Sequence, residues 1–140
     1  MAAVNTQFSI ATHVMTRLGE SGGRETCSQD LAESVNANAS FIRRIVSRLV
    51  KAGLVESHSG SGGSCALAKR PQEISLLDIY RAVEAPPVFA IHAYAENKDC
   101  RVSCHIKSSM ELVLDKAQAS FEASLKDVTL SEVMKDVDSR

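Results

Sequence analysis

Ile106, Met110, Val113, Ala117, Phe121, Leu125 and Val128 recur at three or four residues, so one apolar stripe runs along more than twenty positions of a 140-residue chain. A helix that long has too little partner surface within its own subunit. Pairing with a second copy covers the stripe economically, and packing back onto its own domain is the alternative. The rest of the chain must therefore supply a small packed head from which this helix extends. Composition is compatible with such a head: 44% hydrophobic, 24% charged and 4% aromatic residues, with no Trp. No apolar run approaches the roughly 18 to 20 residues of a membrane helix. Nor does the N-terminus show a basic segment followed by a secretory apolar core. These features predict a cytoplasmic protein without a membrane partner.

The head begins with "NTQFSIATHVMTRLGE", where Phe8, Ala11, Val14, Met15 and Leu18 form one helical face that Asn5 or Thr6 can cap. "SGG" breaks it, and after Cys27 a short helix carrying Leu31, Ala32 and Val35 starts with Ser28 as its expected N-cap. "NANAS" then turns the chain. In "SFIRRIVSRLVKAG", Phe41, Ile42, Ile45, Val46, Leu49 and Val50 make a buried stripe, while Ser40, Arg43, Arg44, Ser47, Arg48 and Lys51 project from the other side. Gly53 supplies the C-terminal stop. A short helix, a tight turn and a cationic amphipathic helix make a helix-turn-helix, whose second helix enters the major groove of DNA.

Charge is distributed accordingly. Formal net charge is −1, yet residues 36–70 hold six bases against Glu56 alone, a local excess of +5, and from Pro86 onward nine acids outnumber seven bases. A basic segment on a near-neutral chain concentrates attraction where phosphates would be met. A solvated charged helix face is the plainer explanation.

The stretch "LVESHSGSGGSCALAKR" decides between a linker and a hairpin. Leu54-Val55 and Ala66-Leu67 anchor two strands, and the Ser/Gly run joins them. Because the basic helix ends one residue before the first strand, a wing fits better than an interdomain linker. At its tip His58, Ser59, Gly60, Ser61 and Gly62 would allow close approach to a phosphate backbone, with amides and hydroxyls as donors. Pro71 ends the hairpin, "ISLLDIYRAVE" forms a helix capped by Ser75, and "APP" stops it. Residues 88–99 are weakly patterned, and "TLSEVMKDV" adds a terminal helix capped by Thr129 or Ser131.

In this order and spacing, "ASFIRRIVSRLVKAGLVESHSGSGGSCALAKRPQEISLLDIYRAVE" and "LKDVTLSEVM" resemble the Rrf2 family of bacterial transcription regulators, to which IscR and NsrR belong. An ordinary MarR-like winged helix is the alternative family. The resemblance implies a mainly α protein with a small β-hairpin wing. Residues 1–85 would form a winged helix-turn-helix DNA-binding domain, 86–104 a connection and sensor segment, and 105–140 a dimerisation helix and C-terminal helix. It also implies a homodimer, joined through the long helix, on a pseudo-palindromic operator, and the expected role is that of a repressor. Asn38, Ser40, Arg43, Arg44, Ser47 and Arg48 are the helix residues expected at DNA. Of these, Arg43 is favoured for base reading, and Arg48 and Lys51 for backbone or solvent. Two departures bear on the operator: Arg43 stands where many members carry a base-reading acid, and Ser59 where many carry a wing-tip Arg.

Cluster-bearing relatives place three cysteines before the long helix, whereas "DCRVSCHIK" offers Cys100 and Cys104, with His105 adjacent. Four ligands close a common cluster or zinc site, so no cofactor is expected unless two subunits, Cys27, Cys65 or a histidine contribute. A thiol switch is the stronger functional reading. Lys98 and Arg101 flank Cys100 with positive charge, which favours thiolate, and oxidation could join Cys100 to Cys104 or to the partner subunit. Inert packing is the plain alternative, and it is the reading favoured for Cys27 and Cys65. His13 reads as structural. A phosphate loop, a nucleophile elbow and a paired-His helix motif are all missing, so an enzyme is not expected. An iron–sulfur or metal sensor on the same scaffold, and a winged-helix protein-interaction module, remain as alternatives.

Overall fold

The structure, a computed structural model, describes residues 5–58 and 63–140. Its head is organised around helix α3 (Ala39–Lys51), whose Ile42, Ile45 and Leu49 are at most 1% exposed. They meet Ala11, Val14, Met15 and Leu18 of α1 (Gln7–Glu20) and Leu31 and Ala32 of α2 (Ser28–Val35). Both stripes have the three-and-four spacing that puts their residues on one side of a helix. Asn36 ends α2 in the left-handed region at φ 63°, with Ala37 N–H donating to the Ala32 carbonyl and Asn36 N–H to that of Glu33. Asn38 then caps α3, its side chain accepting from the Ser40 N–H at 2.8 Å.

Gly53 closes α3. At φ 78° it lets its own N–H donate to the Val50 carbonyl and Leu54 N–H to that of Leu49, the paired bonds of a Schellman stop. The chain thereby reverses into strand β2 (Val55–His58), which pairs antiparallel with β3 (Ser64–Leu67) through Val55 opposite Leu67 and His58 opposite Ser64. A third strand, β1 (Thr26–Cys27), lies on the other side of β3, giving the order β1-β3-β2. It was not expected from the sequence. Because β1 takes up Thr26 and Cys27, α2 starts at Ser28 itself, and the extended Cys27 occupies the N-cap position expected for Ser28.

A 3-10 turn at Pro71–Glu73 leads to α4 (Leu76–Ala82), capped reciprocally by Ser75 and Asp78. The chain then runs without regular structure along α5 (Arg101–Lys126), which begins ahead of residue 105, so Cys104 lies in its first turns. Among the bonds that tie this strap down are Val88 N–H to Gln118 Oε1, Lys107 Nζ to the Tyr94 carbonyl, and Asn97 N–H to Ser103 Oγ. No residue of α5 is buried, and Val102, Leu112 and Val113 are more than half exposed.

The last helix, α6 (Leu130–Asp138), returns to the head instead of extending α5. Leu130 is fully buried in the head core, and its N–H donates to the Ile74 carbonyl at 2.8 Å. Gly19 on α1 makes the close approach possible, since a Cβ there would stand 2.5 Å from Met134 Sδ. Among the described residues no helix is long and apolar enough to cross a membrane.

Leu49→Ala should lower unfolding free energy by about 2–5 kcal/mol. Gly53→Ala, forced into the left-handed region, should cost about 1–2 kcal/mol. Both are read by urea denaturation followed by circular dichroism.

Candidate nucleic-acid interface

Burial of one face of α3 sets the direction of the other. Asn38, Ser40, Arg43, Arg44 and Ser47 are exposed along its first three turns. Arg43 Nη2 donates to Ser40 Oγ at 3.3 Å, and the Arg44 guanidinium sits 5.6 Å over the Phe41 ring. Both contacts steady long side chains without neutralising them. Among the described residues neither arginine pairs with a carboxylate.

Arg48 behaves differently. It is half-buried, and its Nη1 donates to Gln7 Oε1 at 2.7 Å and to the Val83 carbonyl at 3.1 Å. It therefore leaves the outward face on which the sequence pattern put it. A residue three beyond Ile45 lies at the border of the buried stripe, where a long side chain can turn either way. Lys51 at the end of the helix is exposed.

Between α3 and the wing lies a cleft of about 350 Å³, lined by Ser28, Arg43, Val46, Ser47, Val50, Ser57, His58, Gly63, Ser64 and Cys65. Glu25 holds its wing side together. One carboxylate oxygen accepts from Ser64 Oγ at 2.8 Å, and the other meets His58 Nδ1 at 2.5 Å. Glu25 thus reaches across β3 to β2, and His58, expected as a free phosphate contact, is tethered. Nothing in the sequence pattern pointed to Glu25, which precedes a two-residue strand. The expectations for Ser59, Gly60, Ser61 and Gly62 lie outside the described residues.

The four cysteines divide by environment. Cys65 is buried beneath the wing, its sulfur 3.5 Å from the Thr26 carbonyl. Burial, with lesser contributions from Cys27 and Glu25, pushes its thiol up to about 11. Cys27 is half-buried. Cys100 is exposed at the N-cap of α5, while Cys104 tucks its sulfur 3.6 and 3.8 Å from the Asn97 and Lys98 carbonyls. Among the described residues no three His, Cys, Asp or Glu side chains converge as a metal site. The donor set of one chain does not fit an iron centre. His13 Nε2 lies 2.9 Å from Ser34 Oγ, a contact between α1 and α2 that suits a structural role.

Comparison with known proteins agrees with this geometry. Residues 4–136 match the model of the Rrf2 family, described as iron-dependent transcriptional regulators. YwnA of Bacillus subtilis (strain 168), provisionally named an HTH-type transcriptional regulator, is 33% identical over 132 residues, which span 94% of this chain and 96% of that protein. A crystal structure provisionally described as a DNA-binding protein superposes with a TM-score of 0.73 at 29% identity, covering 91% of this chain and 98% of that one. CymR, described as the global cysteine regulator of B. subtilis, shares the fold with a TM-score of 0.68 at 23% identity over 96% of this chain and 98% of its own.

Only the thiolate reacts, and burial pushes the Cys65 thiol up to about 11, well above a labelling pH of about 8. Iodoacetamide followed by peptide mass spectrometry should therefore label Cys100 first and Cys65 last.

Proposed function

The chain belongs to the Rrf2 family of DNA-binding transcriptional regulators, and we propose that it acts as a homodimeric repressor that reads a pseudo-palindromic operator with α3. The observation that carries this reading is the two-sidedness of α3. Its apolar side is locked into the core, and its other side presents Asn38, Ser40, Arg43, Arg44 and Ser47 beside the wing. In a helix-turn-helix the N-terminal part of the second helix meets base edges, and Asn38, Ser40, Arg43 and Arg44 occupy that part, with Ser47 one turn on. Arg43 lines the cleft shared with the wing and is the candidate base reader; a bidentate arginine–guanine contact is worth about 1–3 kcal/mol in discrimination. Arg44 and the wing residues grip phosphates, which set register without reading sequence.

The dimer is supported by α5. Its 26 residues span about 39 Å at 1.5 Å per residue. Val102, Ile106, Met110 and Val113 make an exposed apolar row on α5, and Val88, Phe89 and Tyr94 of the strap are exposed as well. A second copy related by a two-fold axis covers that row with its own and places two reading heads on one duplex, which is why the operator is palindromic.

The trigger we assign is oxidation of Cys100. Peroxide transfers one oxygen to its thiol, giving the sulfenic acid and water. A second thiol, from Cys104 or the partner subunit, then displaces water to close a disulfide. Exposure at the start of the helix that joins the two subunits supports this choice over Cys65 and Cys27. A disulfide there changes how the two copies of α5 meet, and with it the separation of the reading heads.

Arg43→Ala with Arg44→Ala should abolish binding to a duplex selected from a random pool, while light scattering still reports a dimer; unchanged affinity would remove α3 as the reading face. Cys100→Ser should bind DNA as the parent does in reductant and keep binding after peroxide. A variant that is released by peroxide like the parent rules this cysteine out as the sensor.

A further inference from the structure

Arg48 lies one helical turn beyond Arg44, yet its guanidinium turns into the head and bonds Gln7 at the first turn of α1 and the Val83 carbonyl at the end of α4. Carbonyls at a helix C-terminus lack partners within their own helix, and a guanidinium donates to them strongly. One side chain therefore fastens the second helix of the helix-turn-helix to two other helices. The fastening continues beyond Val83. Tyr80, on the same short α4, donates its hydroxyl to the Pro86 carbonyl at 2.6 Å and accepts from Gln118 Nε2 at 3.1 Å. Gln118 Oε1 in turn accepts from the Val88 N–H at 3.1 Å. The Tyr80 ring stands edge-on between Phe8 at 5.6 Å and Phe121 at 5.5 Å. Helix α4 is thus pinned at one end to α3 and, through Tyr80, to the strap and the base of α5.

We propose that Arg48 is a positioning residue for DNA reading, which sets the pose of α3 without touching the duplex, and that Tyr80 and Gln118 tie this pose to the strap and α5. The proposal rests on α3 being the reading helix, and it gives the link by which a rearrangement of α5 reaches the base-reading side chains. It separates cleanly from direct contact. An arginine on a phosphate releases a counterion on binding, so its loss lowers the dependence of log affinity on log salt by about one, whereas loss of a positioning residue weakens binding equally at every salt concentration.

The test uses the full chain and a duplex selected from a random pool, with affinity read by fluorescence anisotropy between roughly 50 and 200 mM salt and the folded fraction by circular dichroism. Arg48→Met is expected to bind about tenfold more weakly with the parent's salt slope, and Arg48→Lys to recover part of the loss because it still donates to one acceptor. Gln7→Ala, which removes one acceptor and leaves the charge, is expected to weaken binding about threefold. It decides the question alone if Arg48→Met fails to fold. Tyr80→Phe combined with Arg48→Met is expected to lose less than the product of the two separate losses, because both act through α4. A slope reduced by about one in Arg48→Met would make it a phosphate contact and overturn the proposal. Unchanged affinity in folded Arg48→Met, or in Gln7→Ala, would overturn it as well, and multiplicative losses in the double variant would overturn the tie to the strap. Arg43→Ala is run alongside: if it leaves affinity and slope intact, the reading of α3 itself has failed.

Discussion

The structure depends on the burial of one face of α3. Ile42, Ile45 and Leu49 are almost completely withdrawn from water, and truncating any of them would leave a cavity in the centre of the head. A helix held by such a stripe has no rotational freedom about its axis. The direction of Arg43 and Arg44 follows from where the isoleucines and leucine go, so the core determines which charges face outward. The turn through Asn36 and the stop at Gly53 extend this constraint to both ends, because each requires a left-handed residue and fixes the chain direction leaving the helix. The wing starts two residues after that stop and has little choice of position.

How much of this was legible in the sequence follows from the range of the interactions. Helices α3 and α5 are long enough for their 3.6-residue periodicity to identify them, and the Ser75 and Thr129 caps are local pairings readable over four residues. The elements that escaped are those determined by distant partners. Strand β1 has two residues, too few for any alternation, and exists because β3 offers a free edge. Helix α6 reads as amphipathic, but nothing local says that Leu130 enters the core of the head or that Gly19 makes room for Met134. Within the candidate site, the exposed positions of α3 followed from the stripe. The inward turn of Arg48 did not, because the acceptors it finds on Gln7 and Val83 are 41 and 35 residues away in the chain. Glu25 escaped for the same reason, since its partners His58 and Ser64 lie 33 and 39 residues on, in β2 and β3.

The cysteines show how burial sorts residues of one kind. Cys65 lies beneath the wing in a setting that disfavours its thiolate, so oxidation there would first require the sheet to open. Cys100 stands in solvent at the start of α5 with no such barrier. The chain thus keeps a buried sulfur close to the exposed face of α3 and an accessible one at the far end of α5, which is the arrangement the proposed thiol sensor would need for oxidation to act through geometry and not by unfolding the head.

The two ends of α5 play different mechanical parts. Its C-terminal end is fixed: Phe121 and Gln118 meet Tyr80, Arg81 of α4 approaches Glu122 at 3.7 Å, and the chain beyond re-enters the core at Leu130. Its N-terminal half, from Val102 to Val113, carries exposed apolar residues and is bonded to the strap through Ser103 and Lys107. A rod fixed at one end and gripped by a partner at the other transmits a change of grip as a rotation of whatever it is fixed to. In the proposed dimer that object is the head, and the bonds of Tyr80 and Arg48 prevent α3 from lagging behind. Small displacements at the helix crossing then become changes in the spacing of two reading helices. The rise of DNA per turn tolerates little error in that spacing, so under the proposed trigger a modest rearrangement near Cys100 would be enough to release the operator.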